Sequence, residues 1–410
     1  MRARLTTATF WALLVLALVL SPLLGLLTPY ISLVFIVPLF FVTIARGDIV
    51  EAYATYEARA FLVVFVVIAT ICGVTADSVS DALRAFNFTM LVAYGPLVLF
   101  LRRQAGRIGV ERIPQLAAIG VAIGLGEVVL SVAMPAFRYL NYNRPTGPDI
   151  GPIVLSNGLL ALGFVGLGAL LLRADRKAWW FLLVPLAAIG ATVVTGSRGP
   201  LIAVPFAVLV AALFVWRHRL NGSVRAGWLG FGGLIVAGGL GGTMLLKSRA
   251  GSSLHIIETI VGGGTVADDS TRQRLELYDA GSKSFVESPW IGHGWGNIMD
   301  SVRPFLPSGD TYVADLPQLH NDVLNFAVGA GVVGVLCYLA IITAPIIGAI
   351  RSPRDRFRTF RLFATTMLVI IYIGGGLTDL MFGFEYHTYL FAMLTAIIIG
   401  FCREPETSAR

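Results

Sequence analysis

The chain has 410 residues, 56% of them hydrophobic and only 13% charged, and its mean hydropathy is +0.78. A soluble domain carries about 25% charged residues, so a string of soluble domains is excluded for want of charge to cover a water-facing surface. The net charge of +7 and pI of about 9.5 fit basic residues collected on the cytoplasmic loops of a membrane protein better than they fit nucleic acid, and no nucleic-acid partner is expected.

Twelve apolar windows follow one another along the chain: 10–27, 30–45, 60–76, 83–101, 114–134, 152–172, 178–196, 199–216, 227–246, 321–346, 362–377 and 386–402. Each is of the order needed to cross about 30 Å of hydrocarbon as a helix. Met1-Arg2-Ala3-Arg4 precedes the first; that run is long for a cleaved signal core and predicts a retained helix. Pro29, Pro114, Pro152 and Pro200 fall at span starts or boundaries, where a missing N–H costs least. The 45 glycines, clustered as at Gly163/Gly166/Gly168 and Gly239/Gly241/Gly242, predict close helix packing in lipid. Cys72, Cys337 and Cys402 lie in or at the ends of apolar runs and indicate neither a disulfide framework nor a metal site.

Alternation from a cytoplasmic N-terminus places 21 of the 31 Lys and Arg residues on inside loops. The short outer connections and helix ends hold only Arg84, Arg138, Arg144 and Arg198, and 16 of the 24 acids fall outside. The positive-inside rule therefore predicts both termini in the cytoplasm. The expectation is an all-α polytopic membrane protein of about twelve transmembrane helices, residues 1–410 forming one integral membrane domain. Between the ninth and tenth spans lies one long outer loop, 247–319. A loop of that size predicts short helices of its own and a function. Thr271–Phe285, with Leu275, Tyr278 and Phe285 spaced for one face, is the strongest helical stretch. The inside loops are too short for a nucleotide-binding domain, which argues against ATP-driven transport.

Candidate functional residues cluster on the outer side. Arg198 sits in Thr195-Gly196-Ser197-Arg198-Gly199-Pro200, between two spans. Arginine at membrane depth pairs with an anion or lines a wet cavity, or else snorkels to the interface. In the long loop, Arg272 and Arg274 suit a bidentate grip on phosphate oxygens, with a solvated helix face as the alternative. Asp268 and Asp269 are embedded in no calcium-loop pattern. His320 opens the tenth span within His320-Asn321-Asp322 and is a candidate base, while Asn321 and Asp322 also fit helix capping. Gly329, Gly331 and Gly334 spell a dinucleotide-type glycine pattern but within a membrane helix, where that chemistry does not apply. Glu127, an acid inside the fifth span, is either functional or a structural partner of Arg144 or Arg198. Asn141-Tyr142-Asn143-Arg144 is a polar, aromatic loop suited to a sugar or headgroup. His255, His293 and His387 follow no zinc-ligand spacing, and neither metal nor cofactor is expected.

Taken in order, these segments resemble the O-antigen ligase and O-antigen polymerase superfamily of bacterial envelope glycosyltransferases. The resemblance rests on Ser197-Arg198-Gly199; on Arg274 four residues before Tyr278, where tryptophan is commoner; on Pro289-Trp290-Ile291-Gly292-His293-Gly294-Trp295-Gly296; and on His320-Asn321 opening a helix that carries Gly329 to Gly334. The motifs span roughly 195–335, and the first 150 residues match only as generic membrane helices. The resemblance implies a GT-C-like fold in the bacterial inner membrane, the long loop periplasmic and the active site facing the periplasm. It implies an undecaprenyl-diphosphate-linked glycan as donor and lipid A-core as acceptor, in a metal-independent, inverting ligase reaction. His320, Arg198 and Arg274 are then the catalytic candidates, and Arg272, Asn321, Asp322, Glu127 and Arg144 candidates for substrate binding. A polymerase with a second lipid-linked repeat unit as acceptor is the alternative within the superfamily. A transporter of the same glycan would share the helices and the arginines, yet would need neither His320 nor the long loop.

Overall fold

The computed structural model describes residues 2–134, 146, 150–220, 269–307 and 316–405, and every regular element among them is helical. Among the described residues ten helices are long and apolar enough to cross a bilayer. In chain order with the helices that accompany them, they are α1 (Thr6–Leu24), α2 (Leu27–Ala45), α3 (Tyr56–Thr75), α4 (Val79–Arg102), α5 (Arg112–Ala133), α6 (Pro152–Leu172), α7 (Arg176–Val194), α8 (Gly199–His218), α9 (Asp269–Glu287), α10 (Asp322–Arg351), α11 (Arg358–Gly376) and α12 (Glu385–Phe401). The polar α9 is an accessory helix, and the apolar α12, at 17 residues, is shorter than the ten spans. Eleven of the twelve expected spans coincide with these helices; the ninth, 227–246, lies outside the described residues. The chain is a multi-pass membrane protein by architecture as well as by composition.

The packing follows from the residue pattern. α6 is apolar around its whole circumference and buried along most of its length, as expected of a helix enclosed by others. It is surrounded by α5, α7 and α11, while α3 packs on α10 and α4 on α12. Small residues set the close approaches: a Cβ at Gly120 of α5 would overlap the Leu18 carbonyl of α1, and one at Gly163 of α6 would press on Ala188 of α7. Without a hydrophobic drive between helices in lipid, such van der Waals contact is what holds them. The outward faces carry exposed Val34, Phe41, Val63, Val66, Phe206, Leu209, Leu336 and Leu339, an apolar belt suited to acyl chains. All three cysteines are buried free thiols.

Polar contacts segregate to the two ends of the bundle. At one end Arg103 pairs with Asp48 and Glu51, Arg219 donates to the carbonyls of Ala174 and Asp175, and the fully buried Arg361 pairs with Asp355 at 2.8 Å. At the other, Asn297 donates to Thr75 O and Asp77, and Asn87 to Gly383 O. α11 joins the two: its 19 residues rise about 28 Å.

Candidate active site

Local sequence shapes the first arm of the site. α7 ends in a left-handed glycine cap at Gly196, φ +71°, with the Thr195 and Gly196 N–H groups donating to Ala191 O (2.9 Å) and Val193 O (3.0 Å). The Thr195 hydroxyl donates to Thr192 O at 2.8 Å and lies 2.9 Å from Ser197 Oγ and 3.0 Å from Ser156 Oγ. This buried run of hydroxyls fixes the turn, and Pro200 then starts α8 in its first turn. Arg198, half-buried, stands at the N-cap of α8. Gly199 lies so close to Thr378 that a Cβ would overlap its hydroxyl, which seats the Arg198 turn on the segment following α11.

The second arm is α9. The expected helix is present and runs from Asp269 to Glu287; its inner face is Leu277, Ala280, Gly281 and Ser284, with Tyr278 and Phe285 partly buried beside them, and of the three expected face residues Leu275 alone turns outward. Leu275 is 40% exposed. The reason is size: Ala280 and Gly281 let the helix lie close, with Gly281 against the Leu319 side chain. Arg272 is exposed and pairs with Glu276 one turn on at 3.3 Å, the solvated-face geometry. Arg274 is half-buried. One turn further, the Tyr278 hydroxyl donates within reach of two carbonyl oxygens, His320 O at 2.9 Å and Leu377 O at 3.1 Å. Burial raises the Tyr278 phenol above its ordinary pKa, although the nearby Arg274 charge and a hydrogen bond from Asn321 act the other way.

His320 is the meeting point. Among the described residues it is the only non-glycine with positive φ, at +50°, a conformation rare enough outside glycine to mark constraint. Its Nδ1 lies 3.3 Å from Asp379 Oδ1, and Gln318 Nε2 donates to the same oxygen at 3.1 Å. Burial alone would push the Asp379 carboxyl up, but the hydrogen bond and charge of His320, with a smaller contribution from His387, hold it below the usual carboxylate range. An ionised Asp379 assigns the proton to Nδ1 and leaves the Nε2 lone pair free to accept. The Asn321 side chain caps α10, accepting from Leu324 N–H at 3.1 Å, and donates to Leu377 O at 3.3 Å. Asp322 is fully buried and accepts from the N–H groups of Met381 (2.8 Å) and Phe382 (3.3 Å). The capping reading holds for Asn321; Asp322 instead satisfies N–H groups of the loop 377–382, and both side chains tie α10 to that loop.

The Pro289–Gly296 segment explains the glycines of α10. That helix breaks at Ala330 and Gly331, whose φ is +65° and ψ −154°. Four backbone bonds from the inserted segment repair the break: His293 N–H to Val328 O (2.8 Å), Gly294 N–H to Gly329 O (3.0 Å), Val332 N–H to Pro289 O (2.8 Å) and Val333 N–H to Trp290 O (3.4 Å). Irregular backbone at membrane depth is tolerated only when its polar groups are satisfied in this way. Backbone meets backbone here, so a Cβ at Gly292 or Gly331 would strike the opposing chain. His293 has a structural post, its Nε2 2.9 Å from Ser284 O on α9.

Three elements therefore converge on residues 377–379: the Arg198 turn through Gly199, α9 with Arg274 through Tyr278, and the start of α10 through His320. Glu127 is buried on α5. Arg144, Asn141 to Asn143, His255 and Asp268 lie outside the described residues. Among the described residues no three or more His, Cys, Asp or Glu side chains gather as metal ligands. Sequence reasoning missed Asp379 and Gln318. An acid three residues after the glycine run Gly374-Gly375-Gly376, at the outer end of the eleventh span, was the available signal for Asp379.

Residues 181–339 match a family model described as O-antigen ligase. The match takes in Arg198, Arg274, Pro289–Gly296 and His320, and the resemblance to the O-antigen ligase and polymerase superfamily holds over that segment. Asp379 lies beyond it. No curated protein matches the chain.

Proposed function

We propose that this membrane protein, O-antigen ligase-like in its central segment, is a glycosyltransferase that moves a glycan from a polyprenyl diphosphate to lipid A-core at the periplasmic face of the inner membrane. The observation that carries the reading is the His320–Asp379 pair held between two arginine-bearing elements. In the proposed reaction His320 Nε2 accepts the proton of the acceptor hydroxyl, whose oxygen attacks the anomeric carbon. The bond from that carbon to the diphosphate oxygen breaks, and its electron pair leaves with the diphosphate. Displacement in one step inverts the anomeric configuration. Arg198 and Arg274 offset the charge that develops on the leaving group, an electrostatic role that guanidinium groups can fill without a metal ion. Asp379 does not touch substrate; it positions the imidazole through Nδ1. The periplasmic assignment is supported by the excess of Lys and Arg on the opposite loops.

The test is the lipopolysaccharide gel pattern of a deletion strain complemented with wild type or His320→Ala. Loss of all polymer-capped lipid A-core on deletion, restored by wild type and not by the variant, is expected. Caps that persist with a single repeat unit would make the protein a polymerase, and an unchanged pattern would reject both.

A further inference from the structure

We infer that the end of the bundle opposite His320 holds a binding site for the phosphate of an anionic phospholipid headgroup. A cavity of about 920 Å³ opens there, about one α11 length from Asp379, where the ends of α5, α6 and α11 meet the segment following α12. Four arginines line it, Arg112, Arg173, Arg356 and Arg403, against two acids, Glu111 and Asp175. Asp175 is committed to Arg173 at 2.8 Å. Arg356 meets Glu404 at only 3.5 Å, with the two side chains 74% and 52% exposed, so that pair is weak. The lining thus has a surplus of two positive charges.

Two long helices add to it. α5 begins at Arg112 and α11 at Arg358, directly after the lining residue Phe357, so the positive ends of both dipoles are at the cavity. The remaining wall is apolar: Ile108, Leu171, Leu172 and Phe357. Leu171 and Leu172 are the last residues of the spanning helix α6, which puts the apolar wall at the level where hydrocarbon gives way to headgroups. Pro405, packed over Gly106, closes one side. A small inorganic anion would use the arginines but leave the apolar wall and most of the volume unused. A phospholipid uses both, its phosphate among the guanidiniums and its glycerol and first methylenes on the leucines. Basic pockets between spanning helices take anionic headgroups for this reason.

The experiment uses the full-length protein in detergent, with thermal unfolding and native mass spectrometry as readouts and phosphatidylglycerol, phosphatidylcholine or inorganic phosphate as the added probe. Phosphatidylglycerol is expected to raise the unfolding temperature saturably and to remain bound in the mass spectrum, with phosphatidylcholine and phosphate ineffective. Arg112→Gln with Arg356→Gln, both at exposed positions, should weaken apparent affinity at least about tenfold while leaving the lipid-free unfolding temperature unchanged. The corresponding double lysine variant should retain binding and so guards against a misfolded glutamine variant. Equal stabilisation of wild type and the glutamine variant, or equal effects of the two lipids, would overturn the site. Phosphate acting as well as phosphatidylglycerol would overturn the lipid as its occupant.

Discussion

At the residue scale the proposed chemistry rests on a histidine whose backbone and ring are both constrained. Tyr278 holds the His320 carbonyl, Asn321 caps the helix behind it, and Asp379 holds Nδ1. His320→Ala should slow turnover by about 10²- to 10⁴-fold with donor affinity nearly unchanged, measured as separate binding and rate constants. Asp379→Asn should cost about 10²-fold or more in turnover with donor affinity nearly unchanged, because the imidazole loses the acceptor that fixes its tautomer and orientation. A purely structural Asp379 would lower yield without slowing turnover of the protein that folds. Asp379 also predicts a stability effect of known sign. Its folded pKa is depressed, so its contribution is present above the unfolded value of about 3.9 and fades as pH falls through the folded one. Between pH 7 and pH 3 wild type should therefore lose more thermal stability than Asp379→Asn. Arg198→Lys keeps the charge but not the planar fork, so donor affinity should fall; a snorkelling arginine would tolerate lysine.

Among the elements, the broken α10 and the segment inserted into it form one unit. Gly331 occupies a backbone region open essentially to glycine alone, where other residues cost about 1–3 kcal/mol, and a Cβ would also strike Trp290. Gly331→Ala should lower the unfolding temperature in detergent and reduce activity. Gly73→Ala, in the helical α3 with nothing within 4 Å of the added methyl, should be neutral or slightly stabilising. Equal behaviour of the two variants would show that the Gly331 conformation is not needed. The hydrophobic pattern of the tenth span read as one continuous helix because an apolar run carries no record of where its hydrogen bonds go. The inner face of α9 was legible only in part for a related reason: periodicity weights large residues, so Tyr278 and Phe285 were placed rightly and Leu275 wrongly, whereas Ala280, Gly281 and Ser284 are buried because they are small.

For the whole molecule, the two ends of the bundle predict accessibility. Cysteines introduced at Gly106 and Arg356 should react with an impermeant thiol reagent only after the inner membrane is opened, and cysteines at Ser282 and Phe384 in intact spheroplasts. Labelling of Ser282 and Arg356 from the same side would place α9 and the arginine-lined cavity on one face and dismantle both assignments. By itself the sequence determined the all-helical membrane architecture, the location of eleven helices and the order of Arg198, Arg274 and His320 along the chain. Those properties are local: apolar run length, loop charge and short motifs are fixed by neighbours in sequence. Only the tertiary structure decided that these residues converge on 377–379, that Asp379 is the partner of His320, and that Pro289–Gly296 completes the hydrogen bonding of α10. Asp379 is 59 residues from His320, and no periodicity links positions so far apart. Their pairing exists because close helix packing brings the start of α10 against the end of α11.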